Sequence, residues 1–265
     1  ITILSCIGKL FTAILNNRLN IFLESNNLIH ENQAGFRKKH STTDHIFVLQ
    51  MLAELCKNRN KKLFCCFIDF QKAFDSVWRT GLWNKLLKYN IKGKILEIIK
   101  NMYNGIKSCI SLNNQLSSFF PCARGVRQGK NVSPLLFTLF LNAVENFLMT
   151  RTNSCVDISD ENIDIFLKLA VILYADDTVI LANTEEDLKS LMNTFNDYCK
   201  IWKLDINFDK TKVMVFGDRF KRNKYLDING TKIEVVDCFK YLGVLFSKNR
   251  QFARANKHIA EQARK

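Results

Sequence analysis

The chain has 265 residues, 47% of them apolar, with 39 Lys plus Arg against 25 Asp plus Glu and a formal net charge of +14. Such a length and apolar fraction exclude a disordered chain and leave room for one large domain or two modest ones. The basic excess runs the whole length and favours a polyanionic partner, nucleic acid ahead of an acidic membrane surface.

No apolar run approaches the roughly 18 residues of a spanning helix, and the opening ITILSCIGKLF lacks a charged n-region and a cleavage site. Nine cysteines without a CxxC pair, beside four histidines, give neither a disulfide framework nor a zinc site the right spacing. The expectation is a soluble, intracellular protein with no membrane partner and reduced, mostly buried thiols.

The first predicted element is a helix with Ile7, Leu10, Phe11, Ile14, Leu15 and Leu19 on one apolar face, broken at Asn26-Asn27. Ser41-Thr42-Thr43 caps a second helix carrying Ile46, Leu49, Leu52 and Leu55, and the basic loop GFRKKHST lies between the two. LFCCFIDF, from Leu63 to Phe70, is short and aromatic enough for a central strand, ending on Asp69. Helical spacing resumes through Leu82, Leu86 and Leu87 and again through Ile95, Ile98, Ile99 and Met102. SCISLNNQLSSFF reads as a hairpin around Asn113-Asn114.

Ser133-Pro134 opens a helix that is expected to continue through Leu136, Phe140 and Val144. LYADDTVILA, at 173–182, follows as strand, turn, strand, and Thr184 with Glu185, Glu186 and Asp187 caps a helix to about Trp202. Strands at Lys212 to Phe216, a hairpin around Asn229-Gly230 and a last strand from Phe239 to Phe246 complete the order, which reads as α+β with an antiparallel sheet backed by helices. Both ends look abrupt: a helix begins at once, and basic helical sequence is still running at Lys265.

Asp176 and Asp177 sit between two apolar runs, where burying an unpaired carboxylate costs several kcal/mol and neighbours repel. If the fold brings Asp69 to the same sheet edge, like charges about 4 Å apart repel by roughly 4 kcal/mol at an effective dielectric of 20, so a cation is needed. Mg²⁺ takes oxygen ligands and shares its site with substrate phosphates, and two such ions form the clamp for in-line phosphoryl transfer. The plainer alternative is a solvated hairpin tip, because acids are common in turns.

YADD at Tyr174 to Asp177, DFQKAFDSV at Asp69 to Val77 and GVRQGKNVSPLLFTLFLN at Gly125 to Asn142 resemble the reverse transcriptase domain of non-LTR, LINE-type retrotransposons. SCIGKLFTAILNNRL and HENQAGFRKKHSTTD look like its finger motifs, NFDKTK like the motif after the catalytic hairpin, and FKYLGVLF like the primer-holding hairpin. The resemblance runs in order from Ile1 to about Phe246. It implies a right-hand polymerase: fingers at 1–62, a palm at 63–246 with a fingers-type excursion at about 79–128, and the start of a thumb, mostly absent, at 247–265.

The resemblance further implies that Asp69, Asp176 and Asp177 hold two Mg²⁺ ions, or Mn²⁺, with the backbone carbonyl of Phe70 completing one shell. Phe74 matches the steric gate beneath the incoming sugar, although AFD alone reads as a core aromatic. Arg37 matches the finger arginine that meets the triphosphate, and Gln128 with Gly129 the pair lying along nucleotide and template. Lys210 matches the lysine that protonates pyrophosphate, with Lys212 as the alternative. Tyr241, Leu242 and Gly243 match the primer grip, where the bare pattern is a buried strand with a bulge at the glycine. Lys130 departs from the family, which more often has an acidic or small polar residue after QG.

The implied activity is RNA-directed DNA synthesis from an RNA template, a DNA primer and dNTPs, with a nuclear setting by the habit of the family. Two other readings stand beside it. One is a non-catalytic nucleic-acid-binding remnant of such an element. The other is a metal-dependent phosphohydrolase, for which His30, His40, His45 and His258 offer no general base near these motifs.

Overall fold

The computed structural model describes residues 5–127, 129–157, 168–217 and 224–248. Helix α1 (Cys6–Ser25) starts where the Ser5 hydroxyl accepts the Gly8 amide at 3.1 Å, and α2 (Thr42–Asn58) where the Asp44 carboxylate accepts the Ser41 amide at 2.7 Å. Strand β1 (Leu63–Ile68) leads into α3 (Ala73–Ser76), α4 (Arg79–Lys88) and α5 (Lys94–Asn101). The short strands β2 (Lys107–Ser108), β3 (Ser111–Leu112), β4 (Gln115–Leu116) and β5 (Phe120–Pro121) follow, β2 pairing with β5 and β3 with β4. Next come α6 (Ser133–Leu141), α7 (Val144–Arg151), β6 (Val156–Asp157), β7 (Lys168–Leu169), β8 (Val171–Tyr174), β9 (Asp177–Ala182) and α8 (Glu185–Trp202). The last elements are β10 (Lys212–Phe216), β11 (Tyr225–Ile228), β12 (Thr231–Val235), β13 (Cys238–Tyr241) and β14 (Val244–Ser247).

The chain divides into two compact units. One takes Ile1–Ile29, Lys72–Leu141 and Trp202–Leu204; the other takes His30–Gln71, Asn142–Ile201 and Asp205–Lys265. In the first, Arg79 donates to the carbonyls of Gly125 and Cys122 at 2.8 Å and of Arg124 at 3.0 Å, fastening the segment before Val126 with one planar fork. Gly125 sits there at φ +86°, and a Cβ would come within 2.6 Å of the Asp75 carbonyl oxygen. Lys85 is buried with its ammonium 3.8 Å from the centre of the Trp202 ring, and burial pushes its pKa well down.

Helix α1 corrects one expectation. Its buried stripe is Thr12, Leu15, Leu19 and Leu23, whereas Ile7, Leu10, Phe11 and Ile14 are exposed. Apolar residues occupy two sides of this helix, and periodicity alone does not say which side meets the protein.

The second unit is built on a sheet in the order β11-β12-β10-β1-β9-β8. β1 lies at its centre, antiparallel to both β10 and β9, and all six of its residues are buried. This is why LFCCFI is apolar on both faces rather than alternating. One face packs Leu63, Cys65 and Phe67 against Leu49, Leu52 and Cys56 of α2 and against Tyr241 and Phe246. Phe67 stacks on Phe239, with ring centres 4.3 Å apart. Among the described residues no helix is long and apolar enough to cross a membrane.

Two boundaries differ from the sequence reading. The helix from Ser133 stops at Leu141 rather than running through Val144, and the Asn142 side chain accepts the His30 amide at 2.8 Å. Phe239 to Phe246 is a hairpin rather than one strand, turning at Leu242 (φ +46°) and Gly243 (φ +87°) with Tyr241 opposite Val244. The thumb expected at 247–265 lies, from 249 onward, outside the described residues.

The segment from His30 is anchored by an acid. His30 Nδ1 stands 2.6 Å from the Glu145 carboxylate, whose other oxygen accepts the Asn32 amide. The hydrogen bond to Glu145 chiefly raises the His30 pKa, burial opposes it, and of the other charges facing the ring Glu31 raises it and Arg37 lowers it. A folded-state pKa above the ordinary 6.5 means that this contribution to stability is fully present below pH 6.5 and is lost as pH rises through the raised value. The denaturation midpoint is therefore expected to fall as pH rises above 6.5, less so in Glu145→Gln, and equal slopes would contradict the pairing. Phe67→Ala is expected to cost about 3–5 kcal/mol in chemical denaturation, because both its stacking partner and the core lose their contact.

Candidate active site

The turn that carries the adjacent acids is a two-residue hairpin. β8 and β9 pair with Tyr174 opposite Asp177, which leaves Ala175 and Asp176 as the turn. Ala175 has φ +57°, at a place where such hairpins ordinarily use glycine. β1 pairs with β9 in a register that sets Ile68 opposite Thr178, so Asp69, the next residue, reaches the sheet edge beside Asp177. The sheet thus unites three acids that are far apart in sequence.

Asp69 ends β1 and has its backbone tied on both sides: its amide donates to Thr211 Oγ1 at 3.3 Å and its carbonyl accepts from Asn207 at 2.8 Å. Phe70 bridges to Ile206, and its ring is buried against Phe195 with centres 6.0 Å apart, which fixes the backbone next to the acid. Desolvation raises the pKa of Asp176, with repulsion from Asp69 adding to it. Asp177 is exposed by area but set low among surrounding protein atoms; desolvation first, then Asp176 and Asp69, push its carboxyl up to about 6. These acids resist ionisation where they stand, and a cation would favour the charged form.

Oxygen donors of this kind suit a hard divalent ion. The donor chemistry fits, although among the described residues no three His, Cys, Asp or Glu side chains are grouped as a ready metal site. Lys210 is 4.0 Å from Asp69, with a mostly exposed side chain, a loose pair that contributes little to stability. Lys212 is engaged elsewhere, 3.1 Å from Glu234 and donating to the Asp209 carbonyl.

Behind the turn runs the segment 30–37. The Leu173 amide donates to the Asn32 carbonyl at 2.9 Å and the Ala34 amide to the Leu173 carbonyl at 3.0 Å, so this segment extends the sheet edge at β8. Gly35 packs directly on the turn: a Cβ there would lie 2.2 Å from the Ala175 nitrogen. The buried Gln33 side chain accepts the amides of Gly35 at 3.0 Å and Ala175 at 3.1 Å.

Arg37 faces inward. Its side chain is 6% exposed, and Nη1 donates to the carbonyls of His30 and Gln33, each at 3.2 Å. In this arrangement the guanidinium braces its own loop, and the exposed cations beside it are Lys38 and Lys39. Tyr241 is buried against Phe67 and Phe246, with burial and the nearby Asp177 charge holding its phenol protonated, while Leu242 and Gly243 form the hairpin tip.

The first unit holds the remaining candidates. Phe74 stacks on Phe137 with ring centres 4.7 Å apart, and it lines a cavity of about 500 Å³ with Gly129, Lys130, Asn131, Ser133 and Pro134. Gln128 lies outside the described residues. Sequence reasoning assigned no role to Gln33 or Gly35, although both stand in the quoted NQAGF. The signal was a glutamine and a glycine on either side of Ala34, which is legible only once the partner turn is known.

Comparison with known proteins agrees with this architecture. The family model for reverse transcriptase (RNA-dependent DNA polymerase) matches residues 1–246. The chain is 25% identical to the RNA-directed DNA polymerase from mobile element jockey of Drosophila melanogaster, over 99% of this chain and 28% of that protein. It is also 25% identical to the Pol polyprotein of the retrotransposable element R2DM from the same fly, over 93% of this chain and 23% of that protein. The chain thus spans about a quarter of the length of these relatives. Among solved structures, telomerase from Candida tropicalis in complex with a fragment of telomeric RNA superposes with a TM-score of 0.59 at 13% identity, over 91% of this chain and 37% of that one. Telomerase from Candida albicans gives 0.58 at 14% identity, over 84% and 36%. Those likenesses fix the fold as that of a polymerase, and with the family model running through residue 246 the chain belongs to the reverse transcriptase (RNA-dependent DNA polymerase) family.

Proposed function

We propose that this chain copies an RNA template into DNA by adding dNTPs to a primer 3′-OH, as the polymerase part of a retrotransposon protein that works in the nucleus. The observation that carries this reading is the register that sets Asp69 at the end of β1 beside Asp177 and the turn residue Asp176. Asp69, Asp176 and Asp177, with the Phe70 carbonyl, would hold two Mg²⁺ or Mn²⁺ ions. When bound, these ions supply activation of the primer hydroxyl and neutralisation of the phosphates. The acids hold that charge in place, so catalysis is chiefly positioning and electrostatics.

Phe74, which lines the cavity in the first unit with Gly129, is read as the group that excludes a 2′-OH, and Gln128, outside the described residues, as the companion of Gly129 along the nucleotide. Lys210, 4.0 Å from Asp69 and unlike Lys212 not engaged by Glu234, is the better placed donor of a proton to pyrophosphate. For Arg37 a triphosphate contact requires release from the His30 and Gln33 carbonyls. The Tyr241–Gly243 hairpin supports the primer through its tip. In this reading residues 1–62 act as fingers and 63–246 as palm, with the stretch near 79–128 serving the fingers.

A second reading, a nucleic-acid-binding remnant of such an element, rests on the basic excess of the chain alone. Primer extension on a primed RNA with Mg²⁺ separates the two. Extension by the wild type and its loss, by at least about a thousandfold, in Asp176→Asn/Asp177→Asn with binding retained is expected for the polymerase. Equal binding by both and extension by neither would leave the remnant. For the gate, Phe74→Ala is expected to raise ribonucleotide incorporation relative to deoxynucleotide by about 10–100-fold, the range one steric contact supplies. An unchanged ratio would return Phe74 to the status of a core aromatic.

A further inference from the structure

The acid turn is held by a conformation that it cannot maintain alone. Ala175 carries φ +57° without being glycine, and the next two residues are carboxylates that repel each other. A positive-φ alanine is a strained choice that persists where surrounding structure imposes it. Here the imposing structure is the segment 30–37, and its innermost contact is Gln33.

We propose that Gln33 is the positioning residue of the acid turn: its side-chain oxygen holds the Ala175 amide and thereby fixes the direction in which Asp176 projects. Both of its partners, Gly35 and Ala175, are N–H donors, so the oxygen must be the atom facing them. The same oxygen locks Gly35, whose missing side chain lets the two backbones meet. The support continues outward: Asn32 and Ala34 pair with Leu173, Arg37 braces the His30 and Gln33 carbonyls, and Asn32 and His30 reach Glu145 on α7. A displacement of the loop is thus transmitted to the turn through one buried acceptor. On the amide side, Gln33 Nε2 is buried without a hydrogen-bond partner among the described residues, so the position needs an oxygen and makes little use of the nitrogen.

This gives a pair of near-isosteric variants with opposite outcomes. Gln33→Met fills the volume and removes the acceptor; Gln33→Glu keeps an acceptor oxygen but buries a carboxyl group near Asp176. The consequence for turnover rests on the polymerase reading; the consequence for the turn does not. Three quantities are measured on the whole chain: amide exchange at Ala175, Mn²⁺ affinity by electron paramagnetic resonance, and single-nucleotide extension on a primed RNA. For Gln33→Met, Ala175 exchange is expected to quicken about tenfold or more, Mn²⁺ to bind more weakly, and kcat to fall about 10–100-fold with KM for the nucleotide nearly unchanged. Gln33→Glu is expected to hold Ala175 exchange near wild type, while its buried carboxyl group lowers the denaturation midpoint. Unchanged Ala175 exchange in Gln33→Met, or equal losses in both variants, would overturn the proposal. If the wild type does not extend while exchange and Mn²⁺ affinity still follow the acceptor, the polymerase reading falls and the positioning role stands.

Discussion

Strand β1 is buried along all six residues between two antiparallel neighbours, and it terminates in a carboxylate. The rest of the second unit follows from that juxtaposition. An apolar strand in the middle of a sheet can only end at the edge of the core, and the hairpin next to it ends at the same edge because the register of Ile68 against Thr178 leaves no alternative. Strand pairing alternates sides with every residue, so a slip of one position would exchange Leu63, Cys65 and Phe67 for Phe64, Cys66 and Ile68 on the face against α2 and carry Asp69 away from Asp177. Packing against α2 on one face therefore fixes the placement of the acids, and the stability of the core and the geometry of the site are the same constraint.

Much of this fold was legible because the signals were local. Asn-Gly and Asn-Asn at 229–230 and 113–114 mark turns that require positive φ at both positions, and both formed as such. Thr184 with Asp187 closes its cap as the spacing suggested. The misreadings share a physical origin in partners that lie outside the local window. Helix α1 carries apolar residues on two sides, and only tertiary packing decides that Leu15 and Leu19 are covered while Leu10 and Ile14 are not. Asn142 interrupts a helical pattern because its side chain serves the His30 amide, 112 positions away.

The site divides in the same way. Acids between apolar runs are conspicuous in a sequence because burial makes them costly, so Asp69, Asp176 and Asp177 could be picked out before any coordinates. Arg37 was conspicuous for its charge, yet its guanidinium turns inward to main-chain carbonyls, a destination that charge does not announce. Gln33 was the least visible, because a neutral amide signals nothing until the backbone it supports is known.

The hairpin tip at 242–243 bears on how this chain can change over time. Three turns in the described structure place two successive residues at positive φ; two of them begin with asparagine, and the third begins with Leu242. Leucine gives up about 1 kcal/mol or more in that conformation, so backbone preference alone would drift this position towards asparagine. Leu242 instead rests its side chain on the core cluster that contains Tyr241 and Phe246. The tip is thus held by its own floor, and lineages in which that floor is repacked are the ones free to spell the turn in the ordinary way.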